Sequence, residues 1–163
     1  MPRVDSQQPL LPSLLDRLID SEPDVSTEPA WSRSQGLREL KESVKRDLEA
    51  LLNTRQTLSD LPADFVEAAQ SILTYGLPDL TSSSIVSLED RERLRRSVED
   101  AIRRFEPRLM KVRVSLREAA SEADRTLRLM VDAWLRLDPD PEPVTFDTVV
   151  QPATGRCEVQ STS

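Results

Sequence analysis

The hydrophobic pattern of this chain changes its period at Pro107, and that change constrains the fold more than any other feature. Before Pro107, apolar residues recur every three or four positions, as on one face of a helix. After it, they alternate with polar residues, as on a half-buried strand. Proline removes a helical hydrogen-bond donor and disfavours helical geometry in the preceding residue, so Pro107 marks the boundary.

Three strands and a weaker fourth are predicted after this boundary. Their inward-facing positions are Met110, Val112, Val114 and Leu116; Leu127, Leu129, Val131, Ala133, Leu135 and Leu137; Val144, Phe146, Thr148 and Val150; and Cys157 and Val159. Trp134 falls on the opposite face of the second strand. Helices followed by strands with short connections predict an α+β fold, with N-terminal helices packed on a small, mostly antiparallel C-terminal sheet.

Two long helices are predicted before the boundary, over 36–55 and from about Ser87 to Phe105. Ser32 and Gln35 are spaced as a capping box for the first helix, and Ser87 is an N-cap for the second. Their buried stripes contain Leu37, Leu40, Val44, Leu48, Leu51 and Leu52, and Leu94, Val98, Ala101, Ile102 and Phe105.

Between these helices, a short helix after Pro62 is predicted to lead into an apolar loop. Glycine permits positive φ and proline disfavours helix before it, so the segment should be a structured loop packed on the core. Its residues are Tyr75, Gly76, Leu77, Pro78, Asp79 and Leu80, of which Tyr75, Gly76, Pro78 and Asp79 are candidate structural-loop residues.

The N-terminal region differs in composition from the rest of the chain. Residues 1–35 are predicted to be an assembly arm and linker, 36–160 a single α+β domain, and 161–163 a tail. A short amphipathic helix should begin after Pro12, with its stripe at Leu10, Leu11, Leu14, Leu15, Leu18 and Ile19. The stripe can pack on the chain's own core or on a partner, and the sequence leaves both open.

Composition argues against most enzyme classes. The chain has no histidine, one cysteine and three scattered glycines. Histidine-dependent catalysis, histidine metal sites, cysteine-rich metal sites and glycine-rich phosphate loops are therefore excluded. We expect no catalytic residues, no metal and no cofactor. Cys157 has no histidine to activate it and is interpreted as a buried, inert thiol.

The charge balance and hydropathy limit the partners. A net charge of −7 argues against nucleic-acid binding. Residues 87–117 nevertheless hold ten Lys or Arg against six Asp or Glu. This local positive charge has two interpretations: a solvated helix face, or a surface that attracts an acidic partner. No apolar run approaches the roughly 20 residues that span a bilayer, so no direct membrane insertion is expected. The first residues lack the pattern of a signal peptide, so the chain is predicted to be cytoplasmic.

A pair of carboxylates could still cleave a glycosidic bond, provided that one of them is a protonated general acid. Glu106 is the best-placed candidate among the 29 acids. Arg108 lies two residues away, and a cationic neighbour favours the charged carboxylate rather than the protonated acid. The sequence therefore disfavours glycosidase activity.

The corner between the second long helix and the first strand is formed by Glu106, Pro107 and Arg108. Two interpretations of these residues are open. One is a local ion pair that pins the corner, worth about 0–1 kcal/mol if it is exposed. The other is a contact surface whose side chains are held at fixed angles. Residue chemistry alone favours the first.

Five segments, taken in order and spacing, resemble the TssE family, the baseplate wedge subunit of bacterial type VI secretion systems, which is related to the small wedge protein of contractile phage tails. The segments are Leu14–Leu18, Leu51–Arg55, Tyr75–Leu80, Phe105–Leu109 and Phe146–Thr148. The resemblance covers roughly residues 10–160.

The resemblance implies a structural baseplate component that binds wedge partners and seeds polymerisation of the contractile sheath. It implies partners of the TssF, TssG and TssK types and sheath subunits of the TssB and TssC types, at a membrane-docked baseplate. It also implies that Glu106, Pro107 and Arg108 act in starting the sheath. An older label of lysozyme-like leaves a peptidoglycan-cleaving muramidase as the alternative.

The last predicted strand is short and polar, and it should leave an edge with unpaired backbone N–H and C=O groups. Strand addition at such an edge is a common mode of recognition. This edge would suit a protein that seeds a sheath of interlocked strands.

Overall fold

Helices precede strands in the computed structural model, and the change falls at Pro107. The structure describes residues 10, 12–19, 32–58, 61–62, 64–78, 87–117, 126–151 and 154–162. Its elements are α1 (Leu14–Leu18), α2 (Arg33–Asn53), α3 (Val66–Ala69), a 3-10 turn (Ile72–Thr74), α4 (Leu88–Phe105), β1 (Leu109–Arg117), β2 (Leu127–Leu135), β3 (Glu142–Gln151) and β4 (Arg156–Thr162). The predicted α+β class is confirmed.

The four strands form one antiparallel sheet in the order β1-β2-β3-β4. Helix α4 packs against β1 and α2 against β4. The residues between the helices and the sheet are almost all apolar, and their burial is the main force that holds the layers together. The largest fully buried side chains are Phe146, Leu48, Leu52, Leu77, Leu94, Ile102, Leu129 and Leu135.

Both predicted N-caps are confirmed, although α2 begins at Arg33 and ends at Asn53 rather than spanning the predicted 36–55. The Ser32 hydroxyl accepts a hydrogen bond from the backbone N–H of Gln35, and the Gln35 side chain accepts one from the Ser32 N–H. Ser87 caps α4 through the N–H of Asp90. These local bonds satisfy N–H groups that the first turn of a helix leaves without partners.

Strand β1 departs from the predicted alternation. Its register against β2 shifts between Met110 and Arg113, where Lys111 has a φ of 52°. This bulge turns Leu109, instead of Met110, toward the core. Lys111 then lies over the ring of Trp134, 5.6 Å from its centroid, on the open face of the sheet where Trp134 was predicted.

Strand β4 ends two residues later than the predicted domain boundary. Ser161 and Thr162, assigned from sequence to the tail, pair with Phe146 and Thr145 of β3. Cys157 and Val159 face the core as predicted. Burial raises the pKa of the Cys157 thiol to about 11, which keeps it protonated at neutral pH.

The predicted apolar loop is packed on the core at Gly76 and Leu77. The N–H of Leu77 donates to the carbonyl of Thr54, and the N–H of Gln56 donates to the carbonyl of Leu77. The Gln56 side chain also donates to the carbonyls of Thr74 and Gly76. Asp79 and Leu80, the linker residues 20–31, and Leu11 lie outside the described residues.

Gly76 is predicted to be the least replaceable glycine. Its φ is 101°, and a Cβ there would lie 2.3 Å from the Thr54 carbonyl oxygen. Gly76→Ala should cost about 2 kcal/mol or more of unfolding free energy, because backbone strain adds to a clash with backbone. Gly155→Ala is the matched control: its φ is 65°, but the clashing atom is the flexible end of Arg55. In chemical denaturation, Gly76→Ala should lower the free energy of unfolding more than Gly155→Ala does. The reverse order would contradict this account.

Candidate functional site

The corner between α4 and β1 is built on a short, fixed turn. Helix α4 ends at Phe105, and the N–H of Glu106 still donates to the Ile102 carbonyl. After Pro107, the N–H of Leu109 donates to the Glu106 carbonyl and β1 begins. Pro107 itself is exposed at the tip of this turn. The backbone thus brings the side chains of Glu106 and Arg108 to the same side.

Glu106 and Arg108 form a two-point ion pair. The Nε of Arg108 donates to one carboxylate oxygen of Glu106 at 2.7 Å, and a terminal nitrogen donates to the other. The Glu106 side chain is 6% exposed and that of Arg108 is 25% exposed. The exposed case considered from the sequence, with a contribution of about 0–1 kcal/mol, therefore does not apply to Glu106.

Arg108 also reaches across to the long helix α2. One terminal nitrogen donates to Asp47 at 2.6 Å, and the other donates to the hydroxyl of Ser43 at 3.2 Å. The hydrogen bond to Glu106 raises the pKa of Arg108 above its already high ordinary value, against the lowering effect of burial, and Asp47 adds to the rise. Arg108 therefore ties the corner to α2 as a permanent cation.

The N-terminal helix α1 is attached to the same cluster through Asp16. Its carboxylate accepts from the hydroxyl of Ser43 at 2.8 Å and pairs with Arg46 at 2.8 Å. Burial would raise the pKa of Asp16, but the hydrogen bonds from Ser13, Ser43 and Arg46 outweigh it and lower the pKa to about 2. Arg46 also pairs with Asp47, which closes the chain of contacts to Arg108.

We name these residues the corner network: Asp16, Ser43, Arg46, Asp47, Glu106 and Arg108. It links the arm helix, the middle of α2 and the start of β1, although its members come from three distant parts of the sequence. A single amide or hydroxyl could not join so many acceptors, whereas the planar guanidinium of Arg108 presents its donors in several directions.

Helix α1 turns its acidic residue, Asp16, toward α2 and its apolar residues outward. Leu14, Leu15, Leu18 and Ile19 are 77%, 54%, 82% and 52% exposed. An apolar stripe that faces water while a partly buried carboxylate faces the protein is the opposite of ordinary amphipathic packing. Exposed apolar patches of this kind mark surfaces that bind other proteins.

The structural loop lies next to the corner network. The Tyr75 ring contacts Phe105 edge to face, with 5.2 Å between centroids. Burial raises the pKa of Tyr75, and the negative charges of Asp47 and Glu106 raise it further. The structure therefore brings Tyr75 close to the Glu106–Arg108 pair, whereas Gly76 packs against Thr54, and Pro78 ends the described part of this loop.

Sequence reasoning found Glu106, Pro107 and Arg108 but missed their partners on α2. Ser43 and Asp47 lie four residues apart, beside the apolar stripe that contains Val44 and Leu48. A small hydroxyl that is 4% exposed on such a helix is a weak signal that something polar packs there.

The arrangement is suited to holding a shape, and it offers little for catalysis. Both carboxylate oxygens of Glu106 are occupied by Arg108, so neither is free to protonate a leaving group. Within the described ranges, no three acidic or cysteine side chains are grouped so that they could hold a metal ion.

The chain is similar to a known protein family and to a solved structure. The family model described as baseplate wedge protein gp25 matches residues 38–140, a range that contains the whole corner network except Asp16. A solved structure titled "The baseplate complex from the type VI secretion system" is 20% identical, covers 70% of this chain and 96% of its own, and has a TM-score of 0.47. No curated protein matches the chain.

Removing Glu106 should destabilise the protein more than an exposed pair would. Glu106→Ala is expected to cost about 1–3 kcal/mol of unfolding free energy, because Arg108 loses three hydrogen bonds in a partly buried position, one of them from its backbone N–H. Arg108→Ala should cost more, since it leaves a carboxylate without its cation in the core. In urea unfolding, the loss of unfolding free energy in the double variant should be smaller than the sum of the losses in the two single variants. Additive effects would show that the pair is not coupled.

Asp16 should make stability depend on pH in acid. Its folded pKa is lowered to about 2 from an ordinary value of 3.8, so its contribution is present above pH 4 and is lost as the pH falls toward 2. Asp16→Asn should therefore cost about 1 kcal/mol at pH 7 and much less at pH 2.5. Glu39→Gln, at an exposed position of α2, is the control and should lower the free energy of unfolding at pH 7 by less than Asp16→Asn does. A pH-independent difference would contradict the role of the charge.

Proposed function

Because this chain belongs to the baseplate wedge protein gp25 family, we propose that it is a structural component of a type VI secretion baseplate, where it binds wedge partners and seeds the contractile sheath. The match over residues 38–140 carries the structural role. The TssE-like motifs described above support a secretion system rather than a phage tail. We place the protein in the cytoplasm, at the membrane-docked baseplate.

Residues 1–35 are proposed as the arm that binds wedge subunits of the TssF, TssG or TssK type, with 36–160 as the wedge domain. The support is the outward-facing stripe of α1, in which Leu14 and Leu18 are the most exposed. Because Asp16 fixes α1 on α2, the stripe is presented at a set angle rather than on a loose tail. Such preorganisation lowers the entropic cost of binding.

Glu106, Pro107 and Arg108 are proposed to meet sheath subunits of the TssB and TssC type. Pro107 is exposed and Arg108 partly exposed, so these two would form the contact. Glu106 is buried and would act by holding Arg108 in place. The same salt bridges that shape the corner would then shape the contact surface.

We propose no enzymatic activity, against the muramidase alternative. A lytic enzyme needs a free carboxylic acid beside its substrate, and the best-placed acid of the corner is bound by Arg108. In the part of the chain that the structure describes, no helix has both the length and the apolar character to cross a membrane.

Fluorescently tagged sheath in living cells tests this function. Pro107→Arg places a bulky cation on the exposed corner without touching the core, and Leu14→Ser with Leu18→Ser removes the arm's apolar contacts. Both variants should fold, and both should abolish extended sheaths, the second with loss of wedge subunits in pull-downs. Leu88→Arg, at an 81% exposed position at the far end of α4, should assemble normally.

Normal sheaths in both test variants would overturn the proposal. Clearing of a suspension of purified cell walls by the wild-type protein, lost on substitution of one carboxylate, would establish the muramidase instead.

A further inference from the structure

The charged side chains of β1 and β2 all lie on the face of the sheet that the helices leave open. Helix α4 packs against β1 and α2 against β4, both on the side that holds the core. On the opposite side, each charged residue of β1 and β2 is exposed or only partly buried. One of them is an acid, Asp132, and four are cations, Lys111, Arg113, Arg117 and Arg128. We call these four cations the basic face.

The basic face keeps its positive charge. In the part of the chain that the structure describes, none of its four cations is in an ion pair. By contrast, Arg103 of α4 pairs with Glu99 of the same helix at 2.6 Å. Asp132 lies directly opposite Arg113, but its carboxylate accepts from the hydroxyl of Thr145 at 2.9 Å instead. The charge is therefore left for a group outside these elements.

Two cations of the basic face oppose each other directly. Arg117 of β1 is the cross-strand partner of Arg128 of β2, and like charges in directly opposite positions destabilise a sheet. Arg117 donates to the sulfur of Met130, which is a weak acceptor, and the Nε of Arg128 is buried without an acceptor. Because that N–H is also cut off from water, the arrangement is unfavourable for the fold alone. An anionic group bound between the two guanidinium groups would offset their repulsion.

Lys111 is held at the other end of the basic face by an unusual backbone conformation. Its φ of 52° lies in the left-handed region, which a lysine rarely adopts. The bulge places its ammonium 5.6 Å from the centroid of the exposed Trp134 ring, and bulges often re-aim a side chain in this way beside a functional site. From Lys111 to Arg117, the row of cations extends over roughly 20 Å of β1. It is a long stripe of charge rather than a pocket for a small anion.

The charge on the rest of this face selects among acidic partners. On β3 and β4, Asp147 and Glu158 outnumber Arg156 on the same side of the sheet. Nucleic acid or an anionic membrane carries negative charge over its whole surface and would meet these carboxylates as well as the net charge of −7. A folded protein can place carboxylates over β1 and β2 and neutral or basic groups over β3 and β4. The pattern therefore favours a protein.

We infer that the open face of the sheet docks an acidic surface of another baseplate protein, whose carboxylates lie along the basic face and whose apolar contact is Trp134. The inference rests on the proposed function for the class of partner. The contact is made by side chains of the sheet face, and it uses neither strand pairing nor the corner network. A second copy of this chain, nucleic acid and anionic lipid are the competing occupants.

Lys111 allows a direct test, because a carbodiimide joins an ammonium to a carboxylate only where the two are in contact. The sample is the purified complex of this chain with wedge subunits of the TssF, TssG and TssK types from the same system, digested and analysed by mass spectrometry. We expect Lys111 to be coupled to an aspartate or glutamate of one of these subunits. Lys111→Arg keeps the charge, so the complex should form without that coupling. Lys41 and Lys45 pair with Glu142 and Glu42 of this chain, and their internal coupling controls for the reagent.

Arg117→Glu separates binding from folding. The introduced carboxylate lies opposite Arg128, so the repulsion is removed and the melting temperature should not fall. Binding to the same wedge subunits, measured by biolayer interferometry, should nevertheless weaken at least tenfold. Arg38→Glu makes the same change in net charge at an exposed position of α2, and it should leave the affinity within twofold of wild type.

A complex that forms without coupling of Lys111 to any subunit, or that Arg117→Glu does not weaken, would overturn this inference and leave the proposed function intact. Coupling of Lys111 to a second copy of this chain would overturn it in favour of self-association. Binding of duplex DNA or phosphatidylserine vesicles that Arg117→Glu abolishes, with an unchanged wedge complex, would overturn it in favour of that ligand. Failure of the wild-type chain to bind any wedge subunit would contradict the proposed function, and this inference with it.

Discussion

The guanidinium of Arg108 is the interaction on which the arrangement of this protein most depends. It bonds Glu106 at the end of α4, Asp47 and Ser43 in the middle of α2, and through Ser43 it reaches Asp16 of α1. The helices and the sheet are layered by apolar burial, which has no directional preference of its own. The ion pairs add direction, because each one is satisfied only within a narrow range of distance and angle. The corner therefore fixes how α2, α4 and β1 are placed relative to one another.

The sequence left two interpretations of the corner, a local ion pair that pins it and a contact surface. In the structure the two are compatible, because the buried part of the corner holds the exposed part in place. The burial of Glu106 makes the pin stronger than an exposed pair, and it also removes Glu106 from the surface. What remains outside is Pro107 and one side of Arg108, held in place by the buried carboxylate. A partner that recognised this surface would be recognising the geometry of the network beneath it.

Local features of the fold could be predicted from sequence, and long-range ones could not. Residues within a few positions of one another determine three local features: the capping box at Ser32, the N-cap at Ser87 and the end of α4 before Pro107. Their sequence patterns could therefore be recognised directly. The bulge at Lys111 was missed because its residues fit plain alternation, and only pairing with β2 shows the extra residue. The partners of Arg108 were missed because Asp47 lies 61 positions away. Nothing in the spacing of two charged residues so far apart indicates that they meet.

The backbone partners of three charged residues of α4 could not be predicted from the sequence either. In the sequence, Arg95, Glu99 and Arg103 have the spacing of ordinary ion pairs on a solvated helix face, and that was one interpretation of residues 87–117. In the fold, the same charges bond the backbone of β1 and take the place of a strand. A four-stranded sheet with two open edges can grow in both directions, which is the usual route to uncontrolled association. Closing the β1 edge with a charged helix blocks one of these two directions.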